Sequence, residues 1–346
     1  MTGWAAIALL AALVFALSIG GTHLLRNYAL KRSLLDHPNE RSSHKAATPR
    51  GGGVAIVASF LVALALLALM GAAPSDAAVG IGGGGLVVAA IGFWDDHGHI
   101  AARWRLLAHF AAAAWLIFWL GGVPDVFAIG DAALARGTMA VAAAIGLVWL
   151  INLYNFMDGI DGIASIEAIT AALGGIAAAL AAGLAGAAVL PALLIASVAG
   201  FLVWNWPPAR IFMGDAGSGF LGIVLGGLAL HAGHARPALL YAWVILLGVF
   251  AVDATVTVLR RALLRQRIYE AHRSHAYQNA SRRFGGHRPV TLAVGALNLF
   301  WLMPIAVLAA LERIGGPLAI AIAYAPLLLL AFRWKAGTEE PRGNKD

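Results

Sequence analysis

The chain of 346 residues contains no cysteine, which excludes a disulfide framework, a Cys-ligated zinc site and a thiol nucleophile. Charge is scarce as well: Asp, Glu, Lys and Arg make up 12% of the sequence, where an ordinary soluble domain carries about 25%. No basic segment precedes the first apolar run, so that run is expected to be a span and not a cleaved leader. No internal repeat is evident. In place of charge the chain carries 61% hydrophobic residues and 41 glycines, with a mean hydropathy of +0.81. Such a composition excludes a soluble enzyme, a disordered chain and a nucleic-acid-binding domain. The net charge of +7 then reflects loop topology and not a nucleic-acid partner. The chain is an integral membrane protein set in a lipid bilayer.

A helical span needs about 20 mostly apolar residues. Eleven stretches qualify, at about 4–25, 52–72, 79–94, 104–120, 138–155, 163–181, 186–204, 218–235, 238–259, 290–311 and 315–332. The expected fold is therefore all-α, with about 11 transmembrane helices in one polytopic domain over 1–335 and a short polar tail at 336–346. Alternate connections sort the basic residues: all but three of the 24 Lys and Arg fall on one side, leaving Arg136, Arg236 and Arg313 on the other. The basic side is expected in the cytoplasm, with the N-terminus outside and the C-terminus inside. Loops 26–51, 95–105, 156–162, 205–217 and 260–289 then face the cytoplasm.

The polar residues that need explaining gather in those five loops. Asp95-Asp96 closes the third stretch, and two adjacent carboxylates at an apolar boundary call for a cation or a basic partner. In N-L-Y-N-F-M-D-G-I-D-G, which begins at Asn152, Asn155, Asp158 and Asp161 recur at a spacing of three, so neighbours share a helix face; one of the aspartates could instead cap the next helix. F-M-G-D-A-G-S-G-F sets Asp215 between glycines ahead of a span. Gly214, Gly217 and Ser218 there suit a backbone cradle for phosphate, with Asp215 on a metal. His272, Arg273 and His275 lie in a basic loop that would hold anionic lipid or a phosphate-bearing ligand. The pair His272 and His275 has no third partner at zinc-site spacing. The first loop adds Arg41, His44 and Arg50. Asp253 is read as the single acid well inside a span, an arrangement that does not suit a transport path. Carboxylates for Mg²⁺, glycine loops and Arg/His groups at the water–lipid boundary fit phosphoryl transfer between a diphosphate and a membrane lipid.

In order, D-x-P-N-x-R-x-x-H, T-P-R-G-G-G, G-F-W-D-D, N-x-x-N-F-M-D-G-I-D-G, F-M-G-D-A-G-S and H-R-S-H resemble the polyprenyl-phosphate N-acetylhexosamine-1-phosphate transferases. That family includes translocase I of peptidoglycan synthesis and the enzymes that start O-antigen and related glycans. The resemblance implies transfer of a sugar-1-phosphate from a UDP-N-acetylhexosamine, or a 6-deoxy derivative, to undecaprenyl phosphate, with release of UMP. It also implies Mg²⁺, with Mn²⁺ as a substitute, a homodimer as a compatible assembly, and a bacterial cytoplasmic membrane with the site facing the cytoplasm. By matching position, Asp95, Asp96, Asn155 and Asp161 take the catalytic roles, and Asp215 with Asp95 the metal. Arg41, His44, Arg105, Asn152, Asp158, Gly214, Gly217, Ser218, His272, Arg273 and His275 take the substrates. Two departures stand out: Arg105-Leu106 replaces a frequent Lys-Leu, and H-R-S-H replaces a run of histidines. The first loop is more similar to the O-antigen and lipopolysaccharide branch. The rival expectations are a flippase for a lipid-linked sugar, a hydrolase of sugar nucleotides, and a translocase I type transfer of phospho-N-acetylmuramoyl-pentapeptide.

Overall fold

A computed structural model describes residues 3–38, 46–98, 100–126, 133–267 and 272–338. It is an all-α membrane protein whose one sheet, among the described residues, is a two-residue ladder: β1 (Leu35–Asp36) pairs antiparallel with β2 (Thr48–Pro49) and closes the base of the first loop. The helices are α1 (Trp4–Lys31), α2 (Val54–Leu69), α3 (Ser75–His97), α4 (Ala102–Trp119), α5 (Ala133–Met157), α6 (Ile163–Ala181) and α7 (Val189–Asn205). They continue with α8 (Asp215–Ala235), α9 (Pro237–Leu246), α10 (Gly248–Leu263), α11 (Ala276–Phe284), α12 (His287–Leu297), α13 (Met303–Ala310) and α14 (Gly316–Arg333).

All eleven expected stretches are helical. Among the described residues eight helical segments are long and apolar enough to cross a bilayer, and the α9–α10 pair makes a ninth if taken as one span. The other two stretches are α2, with 16 residues, and α4, with Arg103, Arg105 and His109 in its first half. Three boundaries need correction. The stretch 238–259 is not one rod: it breaks at Leu247 and bends by 64°. Beyond the break Asp253, Thr255, Thr257, Arg260 and Arg261 give α10 a polar side that cannot face lipid. The stretch 290–311 contains a π-helical turn at Asn298–Leu302, just ahead of Pro304, whose missing N–H breaks the regular ladder. The 260–289 connection is not all loop, because it folds α11.

Small residues let the backbones approach. α8 is buried almost throughout and forms the axis of the bundle. A Cβ on Gly92 of α3 would stand 2.6 Å from the backbone of Asp215 and Ala216, and one on Gly222 would stand 2.7 Å from Ile151 of α5. Close helix contact of this kind replaces a hydrophobic driving force that lipid does not supply. It brings the ends of α3, α5 and α8 to one place.

Candidate active site

The site is assembled from helix termini. Asp95 and Asp96 end α3, Arg105 lies in the first turn of α4, Asn152 and Asn155 in the last turns of α5, and Asp215 opens α8. The G-G-G segment docks edge-on beneath them: the N–H groups of Gly52 and Gly53 donate to the carbonyls of Phe212 (2.9 Å) and Met213 (2.8 Å), and Phe212 N–H donates to Pro49 (2.8 Å). This docking carries Arg50 to the site, where its guanidinium donates to the carbonyl of Asp96. Arg50, Asp95, Asp96, His97, Gly98 and Asp215 line a cavity of about 310 Å³.

Each carboxylate has a distinct set of partners. Asp96 is buried and accepts the Asp215 and Ala216 amides at 3.2 and 3.3 Å. The first amides of a helix have no intrahelical acceptor, so a protein carboxylate fills the anion position at the start of α8 where the sequence suggested substrate phosphate. Gly214, at φ +77°, is needed because a Cβ there would lie 2.6 Å from Asp96 Oδ2. Asp95 accepts the Ile100 amide at 2.8 Å and pairs with Arg105 Nη1, and the same nitrogen lies 3.4 Å from Asp215 Oδ2. Asn155 donates to Ser218 Oγ at 3.3 Å and also reaches the Asp215 carboxylate. Asp158, in the 158–162 connection, lies among Asp215, Asp161 and Asp96; burial, then those three negative charges, push its carboxyl well above the usual carboxylate range.

Other expected ligands are engaged in contacts within the protein. Asp161 Oδ2 accepts the Ala209 amide at 3.0 Å and lies 3.1 Å from His287 Nδ1, and its carbonyl accepts the Thr291 hydroxyl at 2.9 Å. It ties the 158–162 turn to the 205–214 loop and to α12, away from the cavity lining. Asn152 donates back to the Val148 carbonyl at 2.7 Å, with His109 Nδ1 at 3.5 Å. Gly217 is pressed against Gly53 and Met213, where a Cβ would meet Gly53 Cα at 2.6 Å. His275 is 1% exposed, with its Nδ1 3.4 Å from Asp253 Oδ1, so it cannot grip a ligand as expected. Together Asp253 and His275 start α11: Asp253 accepts the Ala276 and Tyr277 amides at 2.9 and 3.0 Å. Arg273 is exposed, and Arg41 and His44 lie outside the described residues.

His272 remains open. Its ring stacks on His275 at 5.0 Å, and its Nδ1 lies 3.1 Å from Ser274 Oγ. Burial, then the charges of His275 and Arg261, push the imidazole down to about 3, so it is neutral at physiological pH. The segment is held against the 156–159 turn, since the Tyr277 hydroxyl donates to the Phe156 carbonyl at 3.0 Å and stands where a Gly159 Cβ would. Tyr277, His287 and the placement of Arg50 were not legible as site features. A second acid inside a span was also missed: Glu167 of α6 is fully buried.

Among the described residues no group of three or more His, Asp or Glu side chains has metal-binding geometry. Mg²⁺ does not require one, taking one or two carboxylates and completing its shell with phosphate oxygens and water. Asp95 and Asp215 share a single guanidinium nitrogen beside a polar cavity, and that donor set fits such an ion once diphosphate oxygens are present.

Residues 78–233, which run from within α3 to within α8, match the family described as Glycosyl transferase family 4. The chain is 28% identical over 293 residues to the probable undecaprenyl-phosphate N-acetylglucosaminyl 1-phosphate transferase of Bacillus subtilis, covering 83% of this chain and 80% of the relative. It is 27% identical over 321 residues to the decaprenyl-phosphate N-acetylglucosaminephosphotransferase of Mycobacterium leprae, covering 84% and 80%. A local match of 47% over 73 residues, 21% of this chain and 19% of the relative, joins it to the phospho-N-acetylmuramoyl-pentapeptide-transferase of Streptomyces coelicolor.

Proposed function

The chain belongs to the polyprenyl-phosphate hexosamine-1-phosphate transferase family, and on that premise we propose that it transfers a sugar-1-phosphate from a UDP-N-acetylhexosamine to undecaprenyl phosphate, releasing UMP. One observation carries the reading: Asp95, Asp96 and Asp215 share a single polar cavity with Arg50, and Arg105 bridges two of those carboxylates. The donor we favour is UDP-N-acetylglucosamine, the sugar in the names of the two relatives matched over most of their length. The likeness to the pentapeptide transferase is local, which argues against a peptide-bearing muramoyl donor. The first loop favours a product of the O-antigen or lipopolysaccharide type, and this rests on sequence.

An oxygen of the acceptor phosphate attacks the sugar-linked phosphorus. The bond from that phosphorus to the bridging oxygen breaks, and UMP leaves with the electron pair. A phosphate monoester has a second pKa near about 6, so the acceptor is largely dianionic at neutral pH and needs alignment and charge neutralisation more than a strong base. Arg50 and Arg105 supply fixed positive charge, and neutral His272 supplies a directed hydrogen bond. Asp96 is engaged with the amides of α8 and Asp95 with Arg105; neither is a free nucleophile, which favours direct attack over an aspartyl-phosphate route. Asp215 and Asp95 would hold Mg²⁺, which when bound neutralises the diphosphate.

The same proposal sets the site on the cytoplasmic face of a bacterial inner membrane, a reading supported by the uneven split of Lys and Arg between alternate connections. The test is a panel of UDP-sugars given to the purified protein with and without undecaprenyl phosphate. UMP release that requires the lipid is expected. Release of free sugar phosphate without lipid would turn the reading to a hydrolase, and no chemistry with any donor would turn it to a flippase.

A further inference from the structure

Glu167 lies one turn into α6, fully buried in the bundle. An acid inside an apolar span is costly and calls for a specific partner. Its Oε2 accepts from Asn298 Nδ2 at 2.7 Å, and that nitrogen also lies 2.7 Å from Thr170 Oγ1. The backbone N–H of Phe250 points to the same carboxylate. Phe250 and Asn298 fall at two irregular stretches of backbone. Phe250 is the third residue of α10, directly after the 64° break, and Asn298 opens the π-helical turn. The first amides of a helix lack intrahelical acceptors, and within a bilayer no bulk water replaces them.

From this point a continuous chain of contacts reaches the site. Asp253 follows Phe250 by three residues on α10, receives the amides of Ala276 and Tyr277, and faces His275. Tyr277 in turn holds the Phe156 carbonyl beside Asp158. We propose that Glu167 is a positioning residue: by fixing the start of α10 it sets where Asp253 stands, and through Asp253 it sets how the His272–Gln278 segment covers the Asp158 turn. The kinetic consequence rests on the donor-binding role proposed above for His272; the mechanical consequence does not. The carboxamide of Glu167→Gln keeps one oxygen that can accept from Asn298 Nδ2 and face the Phe250 N–H. Removing the acceptor leaves a buried donor unmade, the costly side of a hydrogen bond.

The experiment uses the absence of native cysteine. A nitroxide on Arg283→Cys, exposed on α11, reports the segment, and one on Thr138→Cys, exposed near the start of α5, is the control. Both are read in the parent, Glu167→Gln, Glu167→Ala and Asn298→Ala backgrounds, and the four backgrounds are assayed without labels. Glu167→Ala and Asn298→Ala should mobilise the α11 label alone and raise KM for the UDP-sugar by about tenfold, with KM for the acceptor within about twofold. Glu167→Gln should match the parent in both. Equal mobilisation of both labels would reduce Glu167 to general packing, and a Glu167→Gln loss as large as that of Glu167→Ala would make its ionisation the essential property; either overturns the proposal. If Glu167→Ala fails to fold, Asn298→Ala and Glu167→Gln decide by the same criteria. An unchanged α11 label with an altered KM would also contradict it, whereas a mobilised label in an enzyme inactive toward UDP-sugars would leave the positioning role standing and remove the donor assignment.

Discussion

Arg105 places one guanidinium nitrogen against both Asp95 and Asp215, so the charge balance of the site is set at single residues. Asp215→Asn should lose most turnover while the protein still inserts and melts as the parent does. EDTA should abolish activity, and Mg²⁺ or Mn²⁺ should restore it; full activity of Asp215→Asn in metal-free buffer would remove the metal assignment. The two histidines should now behave differently. His272→Ala should lower kcat/KM for the UDP-sugar by about tenfold or more, since a directed donor at a developing charge is worth about 10²–10³ in rate. His275→Ala, which loses a helix start, should chiefly lower Tm. The His272 imidazole titrates near 3 in the folded chain and near about 6.5 when unfolded. The unfolded chain therefore binds more protons between these values, and stability falls as pH falls through that window. His272→Gln should lose less Tm than the parent on acidification from pH ~7 to ~5, the window in which the unfolded histidine takes up its proton. The acid pair, Asn155 and Asp215 were legible as residue types beside apolar runs. The division of Asp158 from Asp161 was not, because spacing puts both on one face while only tertiary partners such as His287 and Ala209 show which one is consumed as a brace.

At the scale of elements, the site depends on how closely α3 and α8 approach. Gly92→Ala would put a methyl 2.6 Å from the Asp215 and Ala216 backbone. Overpacking of this kind typically costs about 1–3 kcal/mol, and here it would also pull Asp96 off the start of α8. Activity should fall by more than about tenfold, whereas Gly137→Ala, which meets nothing within 4 Å, should be silent; steady-state rates at matched expression check both. Most helices were readable because apolar length is a local property. The break at Leu247 was not, since α9 and α10 form one apolar stretch on average and only the clustering of Asp253, Thr257 and Arg261 marks the change. Nor was α11, which is short, polar and started by an acid that arrives from another helix.

At the scale of the molecule, every proposed ligand group requires the basic side to be cytoplasmic. A reporter fused after Asp346 should read cytoplasmic and one placed at Ala132 external; the opposite pattern would separate the site from cytosolic nucleotide sugars. The overall class was legible from composition alone. The meeting of three sequence blocks in one cavity, those that hold Arg50, Asp95-Asp96 and Asp215, became legible through their order and family resemblance, because no single block carries enough chemistry to define the reaction. The most direct test supplies UDP-N-acetylglucosamine labelled with ³²P at the sugar-linked phosphorus, together with undecaprenyl phosphate, and follows where the label goes. The account predicts label in a lipid-linked diphosphate sugar, unlabelled UMP in equal amount, and neither product from Asp215→Asn. Label recovered as free sugar phosphate, or a lipid product formed as fast by Asp215→Asn as by the parent, would contradict it.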